Sequence, residues 1–246
     1  AAGDGSGISA PDSSGNSAVE EAESSAPWRD NVLMADPAQG DTLTDMPDSP
    51  VFGSGITRRE ISVVTFVDTT EYLPEERWDV SQAQDGSVMA GVTGEGDLYN
   101  LFIAADGGVA APEDCSGLFQ GYKNVEAIYF TGAFHTENTT SMSSMFSGCA
   151  KLEVLDLEGI DTSNVTDMSS MFSWCDIVKL DVRDWDTSRV EDMGNMFYFC
   201  KELAELDLSG WDTSAVTDMG SMFFYCESLT ELDLSGWDTS SVIDMS

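Results

Sequence analysis

The chain has 246 residues, is 41% hydrophobic and carries a formal charge of −35, from 45 Asp and Glu against 10 Lys and Arg. Such a surface repels nucleic acid, whose phosphates need Lys and Arg, and it disfavours anionic membranes. It favours cations or basic protein partners, and no apolar run approaches the ~18 residues of a membrane-spanning helix.

Residues 1–50 are rich in Gly, Ser, Ala, Asp and Pro and carry ten acids against a single base, Arg29. Apolar residues there have no period, so the segment cannot offset its ordering entropy and reads as a disordered acidic linker. Trp28, Val32, Leu33 and Met34 form a small apolar island, read as part of the coil, with docking as the alternative. The start Ala1-Ala2-Gly3, without Met, suits a processed or trimmed terminus.

Residues 51–113 read as a small β-rich cap. Ile61–Val67 is β-branched and partly alternating, the pattern of a strand. Val88–Val92 and Leu98–Ile103 flank Thr93-Gly94-Glu95-Gly96-Asp97, a hairpin signal with glycines for the turn. A β unit at this place would cover the open edge of the first repeat that follows.

Residues 114–246 repeat. Phe119, Phe146, Phe172, Phe197 and Phe223 stand at steps of 27, 26, 25 and 26 residues, the period of a stacked array. Leu152–Leu157, Leu203–Leu208 and Leu229–Leu234 spell LxxLxL, the strand half of a leucine-rich repeat. Val165, Met168, Met171 and Phe172 fall at i, i+3, i+6 and i+7, as do Val190, Met193, Met196 and Phe197, which predicts a short helix. Asp-Thr-Ser at 161–163, 186–188, 212–214 and 238–240 reads as its N-cap. The expected fold is an α/β repeat solenoid: a leucine-rich-repeat-like right-handed coil with one parallel strand and one short helix per repeat, preceded by the β cap. The copy at Asp176–Leu180 is one residue short and should make its rung irregular. The array stops inside a copy at Ser246, as a truncated solenoid would.

The pattern Phe-x-x-Cys-x-x-Leu-x-x-Leu-Asp-Leu-Ser-Gly-Trp-Asp-Thr-Ser-x-Val-x-Asp-Met, spread over Cys115–Ser246, closely resembles the BspA-like leucine-rich family, the bacterial surface protein 26-residue repeat. That resemblance implies an extracellular protein, secreted or cell-wall attached in a bacterium, with adhesive or host-binding roles.

Three columns of side chains are candidates for chemistry. Cys149, Cys175, Cys200 and Cys226 each follow a marker Phe by three, which reads as a buried thiol ladder. Trp185, Trp211 and Trp237, continued by Ile160 and Phe134, read as packing, with glycan stacking as the alternative. The third column is acidic. The non-leucine positions of LxxLxL face outward, which sets Asp156, Asp181, Asp207 and Asp233 in one row, with Glu153, Glu205 and Glu231 alongside. Like charges at sheet spacing repel by roughly 1 kcal/mol even in water. Each Asp can offset that by accepting backbone N–H groups of the next turn, or the row can meet a cation or a basic partner. No calcium loop accompanies it, so no cofactor or metal is assigned. His135 is the sole histidine, placed at a helix start, and without a second histidine or a nucleophile elbow no catalytic set emerges.

The expected function is a non-catalytic binding scaffold that presents this acidic face to a host or extracellular-matrix protein with basic patches. No nucleic acid and no membrane insertion are expected. A glycan-binding module using the tryptophan column, or a structural spacer, is the alternative.

Overall fold

A computed structural model describes residues 26–36, 46–94 and 96–246. Most of the expected linker therefore lies outside the described residues. Strands are β1 (Ile61–Val67), β2 (Arg77–Asp79), β3 (Met89–Thr93), β4 (Tyr99–Ala104), β5 (Val109–Ala110), β6 (Ala127–Tyr129), β7 (Phe134–His135), β8 (Val154–Asp156), β9 (Lys179–Leu180) and β10 (Glu205–Leu206).

The cap region forms strands where alternation and glycine turns place them. β3 and β4 pair antiparallel with Val92 opposite Leu101, as the hairpin signal requires. β1 then pairs parallel with β4 on one side and with β6 on the other, Val63 lying opposite Ala127. The six-stranded mixed sheet β2-β3-β4-β1-β6-β8 is thus continuous from the cap into the repeats. No pairing joins β8 to β9; β9 and β10 form a separate parallel pair. The break falls at the short copy Asp176–Leu180, the rung expected to be irregular.

The helical half of the expectation is overturned. Among the described residues the chain is nearly all sheet, turn and bend, and its only helical pieces are two 3₁₀ turns, Met46–Asp48 and Arg58–Glu60. The α/β solenoid with one helix per repeat is not the fold. The reason lies in where backbone donors go. An α-helix sends each N–H to the carbonyl four residues back. Here alternate N–H groups reach the following copy instead: Met168 donates to Asp192 O, Ser170 to Gly194 O, Phe172 to Met196 O and Trp174 to Tyr198 O, at 2.8–2.9 Å. The residues between them close tight turns, Met171 N–H to Met168 O and Ser173 N–H to Ser170 O. Left-handed residues, Ser170 at φ 56° and Trp174 at φ 61°, interrupt the run every four residues. The apolar spacing survives because a turn of this kind also returns every third or fourth side chain inward: Val165, Met168, Met171 and Phe172 are all buried.

Side-chain columns lock the copies together. Phe119, Phe146, Phe172, Phe197 and Phe223 stack with centroids 5.4–5.7 Å apart. The Asp-Thr-Ser triplets cap turns, not helices. Asp186 Oδ1 accepts the Ser188 N–H at 3.0 Å, and the buried Thr187 hydroxyl donates to the carbonyl of Asp212 in the next copy at 2.9 Å. Thr136, Thr162 and Thr213 make the same bond in their own copies.

The apolar island at 28–34 docks. Val32 bridges Ala110, Leu33 bridges Ser81 and is fully buried, and Trp28 stacks on His135 at 4.4 Å. His135 lies in β7, not at a helix start. Gly108 makes room for it: at φ 107° it stands where a Cβ would come within 2.6 Å of His135 Nε2.

The cysteines form the buried ladder the spacing implies, and none is bridged. The thiols of Cys149, Cys175, Cys200 and Cys226 each donate to a carbonyl of the preceding copy, Cys175 to Phe146 O and Cys200 to Phe172 O at 3.0 Å, while Cys115, outside the ladder, donates to Pro112 O. Burial pushes the Cys200 thiol up to about 12 and Cys226 to about 11. Thiolate is the reactive form. A thiol-alkylating reagent at mildly alkaline pH should therefore label the half-buried Cys226 first and Cys175 and Cys200 only on unfolding. Mass mapping after timed exposure checks this; early labelling of Cys200 in the folded protein would contradict it.

Candidate functional site

The seven outward carboxylates take up three kinds of environment. Asp156, Asp207 and Asp233 close the turn that follows them, Oδ1 accepting the N–H of Glu158, Ser209 and Ser235 at 2.9–3.0 Å. The Ser209 hydroxyl and N–H hold the Asp207 carboxyl below the usual range, and Ser235 does the same for Asp233. Asp181, Asp207 and Glu205 also meet cations. Arg183 lies 3.1 Å from Asp207 and 3.8 Å from Asp181, and Lys179 Nζ sits 2.8 Å from Glu205. Among the described residues no cation lies within ion-pair distance of Glu153, Asp156, Glu231 or Asp233.

The two offsets to charge repulsion, local turn closure and opposite charge, therefore coexist along this row. Exposed pairs of this kind contribute at most about 1 kcal/mol each, so Lys179 and Arg183 moderate the field more than they stabilise the fold. Asp181, Glu205, Asp207, Glu231 and Asp233 border one shallow groove of about 440 Å³, which Lys179 and Arg183 also line. Glu153 and Asp156 stand outside it.

A second acidic column runs through the turn segments. Asp114, Ser141, Asp167, Asp192, Asp218 and Asp244 bridge one another in parallel, copy to copy. Asp192 Oδ1 accepts the Gly194 N–H at 2.8 Å. Burial pushes its carboxyl up, Gly194 pulls it down, and Asp167 and Asp218 push it up again. Gly194 and Gly220 lie against these carboxylates, with Cβ positions 3.0 and 3.1 Å from Asp218 Oδ1. Among the described residues no three His, Cys, Asp or Glu side chains converge to hold a metal ion.

The tryptophan column is interior at Trp185 and Trp211, while Trp237 is only partly buried and lines a cavity with Phe223 and Leu234. Trp185 and Trp211 are 8% and 4% exposed, their rings lie parallel at 6.5 Å, and Trp211 Nε1–H donates to Val182 O at 2.8 Å. Their faces are not open to a sugar.

A different aromatic row is exposed, and sequence reasoning passed over it. Trp174, Phe199 and Tyr225 occupy the position just before the column cysteine, where the two earlier copies have Gly121 and Gly148. Gly121 and Gly148 sit at φ 77° and 76°; the three aromatics keep the same left-handed backbone at φ 59–61°. A side chain in that region costs about 1–2 kcal/mol per residue. Trp174 stacks on Phe199 at 4.2 Å and Phe199 on Tyr225 at 4.6 Å, yet Trp174 and Tyr225 remain 38% and 50% exposed. The signal was present in register: a glycine position taken over by large rings in three successive copies.

Among the described residues no helix is long and apolar enough to cross a membrane. Comparison with curated proteins and with solved structures returns no match. Residues 113–205 and 174–246 match the family model described as "Mycoplasma protein of unknown function, DUF285". The matched spans cover more than half of the chain, and the side-chain columns described above lie within them: the chain belongs to the DUF285 family.

Proposed function

We propose that the chain is a non-catalytic binding scaffold of a bacterial surface protein, secreted or wall-attached, of the BspA-like kind its repeat resembles. The partner is a host or extracellular-matrix protein with basic patches. One observation carries the reading. Carboxylates repeat along the strand row of successive copies, and of the four without a cation partner among the described residues, Glu153, Glu231 and Asp233 are solvent-exposed and Asp156 is half-buried. Such a row meets a basic surface by charge complementarity, which sets encounter rate and specificity more than raw affinity.

Glu153 and Glu231 close no turn, so reversing them leaves the turns intact. The double variant Glu153→Lys with Glu231→Lys should weaken binding to an immobilised Lys- and Arg-rich peptide by roughly tenfold, mainly through slower association. Binding of the unaltered chain should also fall as salt rises. Surface plasmon resonance at low and high salt reads both; salt-insensitive binding, or unchanged binding by the double variant, rejects the acidic face as the contact.

A further inference from the structure

The exposed aromatic row offers a second contact, sharing no residue with the acidic groove. Its left-handed positions suit glycine, and Gly121 and Gly148 show that the turn closes without a ring. Trp174, Phe199 and Tyr225 thus stand where the fold has no need of them, and where the backbone disfavours side chains. Strain of this sort points to a role outside folding.

Around Trp174 the row opens into a notch of about 370 Å³. Phe199 covers one face of the Trp174 ring at 4.2 Å. No ring stands in the copy before it, where Gly148 and Ala150 line the notch. Lys123 and Lys201 line it as well, together with Asp176. These are two of only ten basic residues in a chain of charge −35. Among the described residues neither has a carboxylate within ion-pair distance, whereas Arg58, Arg59, Lys179 and Arg183 do. Lys201 Nζ lies 5.5 Å from the Phe199 centroid, held beside the row.

We propose that this notch binds an acidic sugar, a pyranose of the uronic-acid type within a glycan. The apolar CH face of the ring stacks on Trp174, as flat apolar surfaces do on an indole. The sugar carboxylate meets the ammonium groups of Lys123 and Lys201. Asp176 accepts a ring hydroxyl, the role of an acceptor-only side chain. A neutral sugar would leave the two lysines unanswered, and a purely apolar partner would bury them unpaired, which is costly.

The substitution that separates binding from folding is Trp174→Gly. Glycine suits φ 61°, so this variant should unfold at the same denaturant concentration as the parent or a higher one. Calorimetric titration with a polyuronate tetrasaccharide should show binding to the full chain. Affinity should fall about tenfold or more in Trp174→Gly and in Lys123→Gln with Lys201→Gln. The carboxyl-reduced, neutral tetrasaccharide should bind about tenfold more weakly than the polyuronate. No binding by the unaltered chain, equal binding by Trp174→Gly, or equal binding of the neutral sugar overturns the proposal. So does marked destabilisation of Trp174→Gly, which would make Trp174 a packing residue. Self-association of the chain that is lost in Trp174→Gly, without sugar binding, would give the row to a second copy and likewise overturn it.

Discussion

Phe172→Ala should lower the stability of the folded chain by about 3–5 kcal/mol, the loss expected for a large core aromatic cut to a methyl group. Phe172 is fully buried between Phe146 at 5.4 Å and Phe197 at 5.7 Å, with interplanar angles of 9° and 2°. Neither neighbour can move into the space, because each is held by its own ring contacts and by copy-to-copy backbone bonds. Cys200 Sγ also donates to the Phe172 carbonyl, so a shift of this backbone disturbs the thiol ladder. Phe223, in the same column but only partly buried, should lose less when cut to Ala. Urea unfolding followed by circular dichroism measures both. Equal losses at the two positions would mean that ring stacking, not enclosure, sets the cost.

Arg58→Ala should cost a similar ~3–5 kcal/mol, the penalty for removing one partner of a buried ion pair. The Arg58 side chain is fully buried, 3.1 Å from the Asp36 carboxylate, and it also donates to the Asp36 carbonyl. Its other nitrogen donates to Gly117 O at 3.1 Å and Gln120 O at 2.6 Å, and the guanidinium lies 5.0 Å over the Tyr122 ring. One side chain thus ties the docked segment 26–36, the cap and the first repeat turn together. Arg58→Lys should rescue little, since an ammonium cannot reproduce the planar fork.

The pH dependence has a definite sign. Burial pushes the Asp36 carboxyl above its ordinary 3.8, against the pull of Arg58 and the Phe52 N–H. A raised carboxyl contributes stability below 3.8 and loses it as pH rises through the folded value. Without Arg58 the folded value rises further, so the deficit of Arg58→Ala should be smallest in acid and grow towards neutral pH. A deficit that stays flat with pH would show that the carbonyl contacts, not the ion pair, carry the cost.

Period and burial were legible in the sequence. Five phenylalanines at near-equal steps place one column, the cysteines another, and both are where spacing puts them. The lack of a helix in the repeats was not legible. Val165, Met168, Met171 and Phe172 satisfy helical spacing, and nothing in that pattern says whether Met168 N–H bonds four residues back or 24 residues ahead. Serine and tryptophan in left-handed geometry at 170 and 174 decide it, and neither residue type announces that conformation. The docking of Leu33, which was held only as the alternative to coil, and the role of Arg58, which was missed, have a related cause. Each is set by contacts distant in sequence, the Ser81 bridge and the Ala110 carbonyl for Leu33 and the Gly117 and Gln120 carbonyls for Arg58, which no local pattern encodes. Of the acidic row, the turn-closing role of Asp207 and Asp233 follows from the Ser-Gly after them. The pairing of Asp207 with Arg183 across two copies needs the stacking register.

The forward direction of the backbone bonds limits how such a chain can vary in length. Each turn segment spends alternate N–H groups on the segment one copy ahead. Insertion of a whole copy gives every donor an equivalent acceptor; insertion of part of one would strand a row of them in the interior, at roughly 1–3 kcal/mol for each. Growth by duplication is therefore quantised in units of one copy. Each added unit lengthens the reach of the molecule by about one strand spacing, ~4.8 Å, and extends every surface row by one more side chain in register.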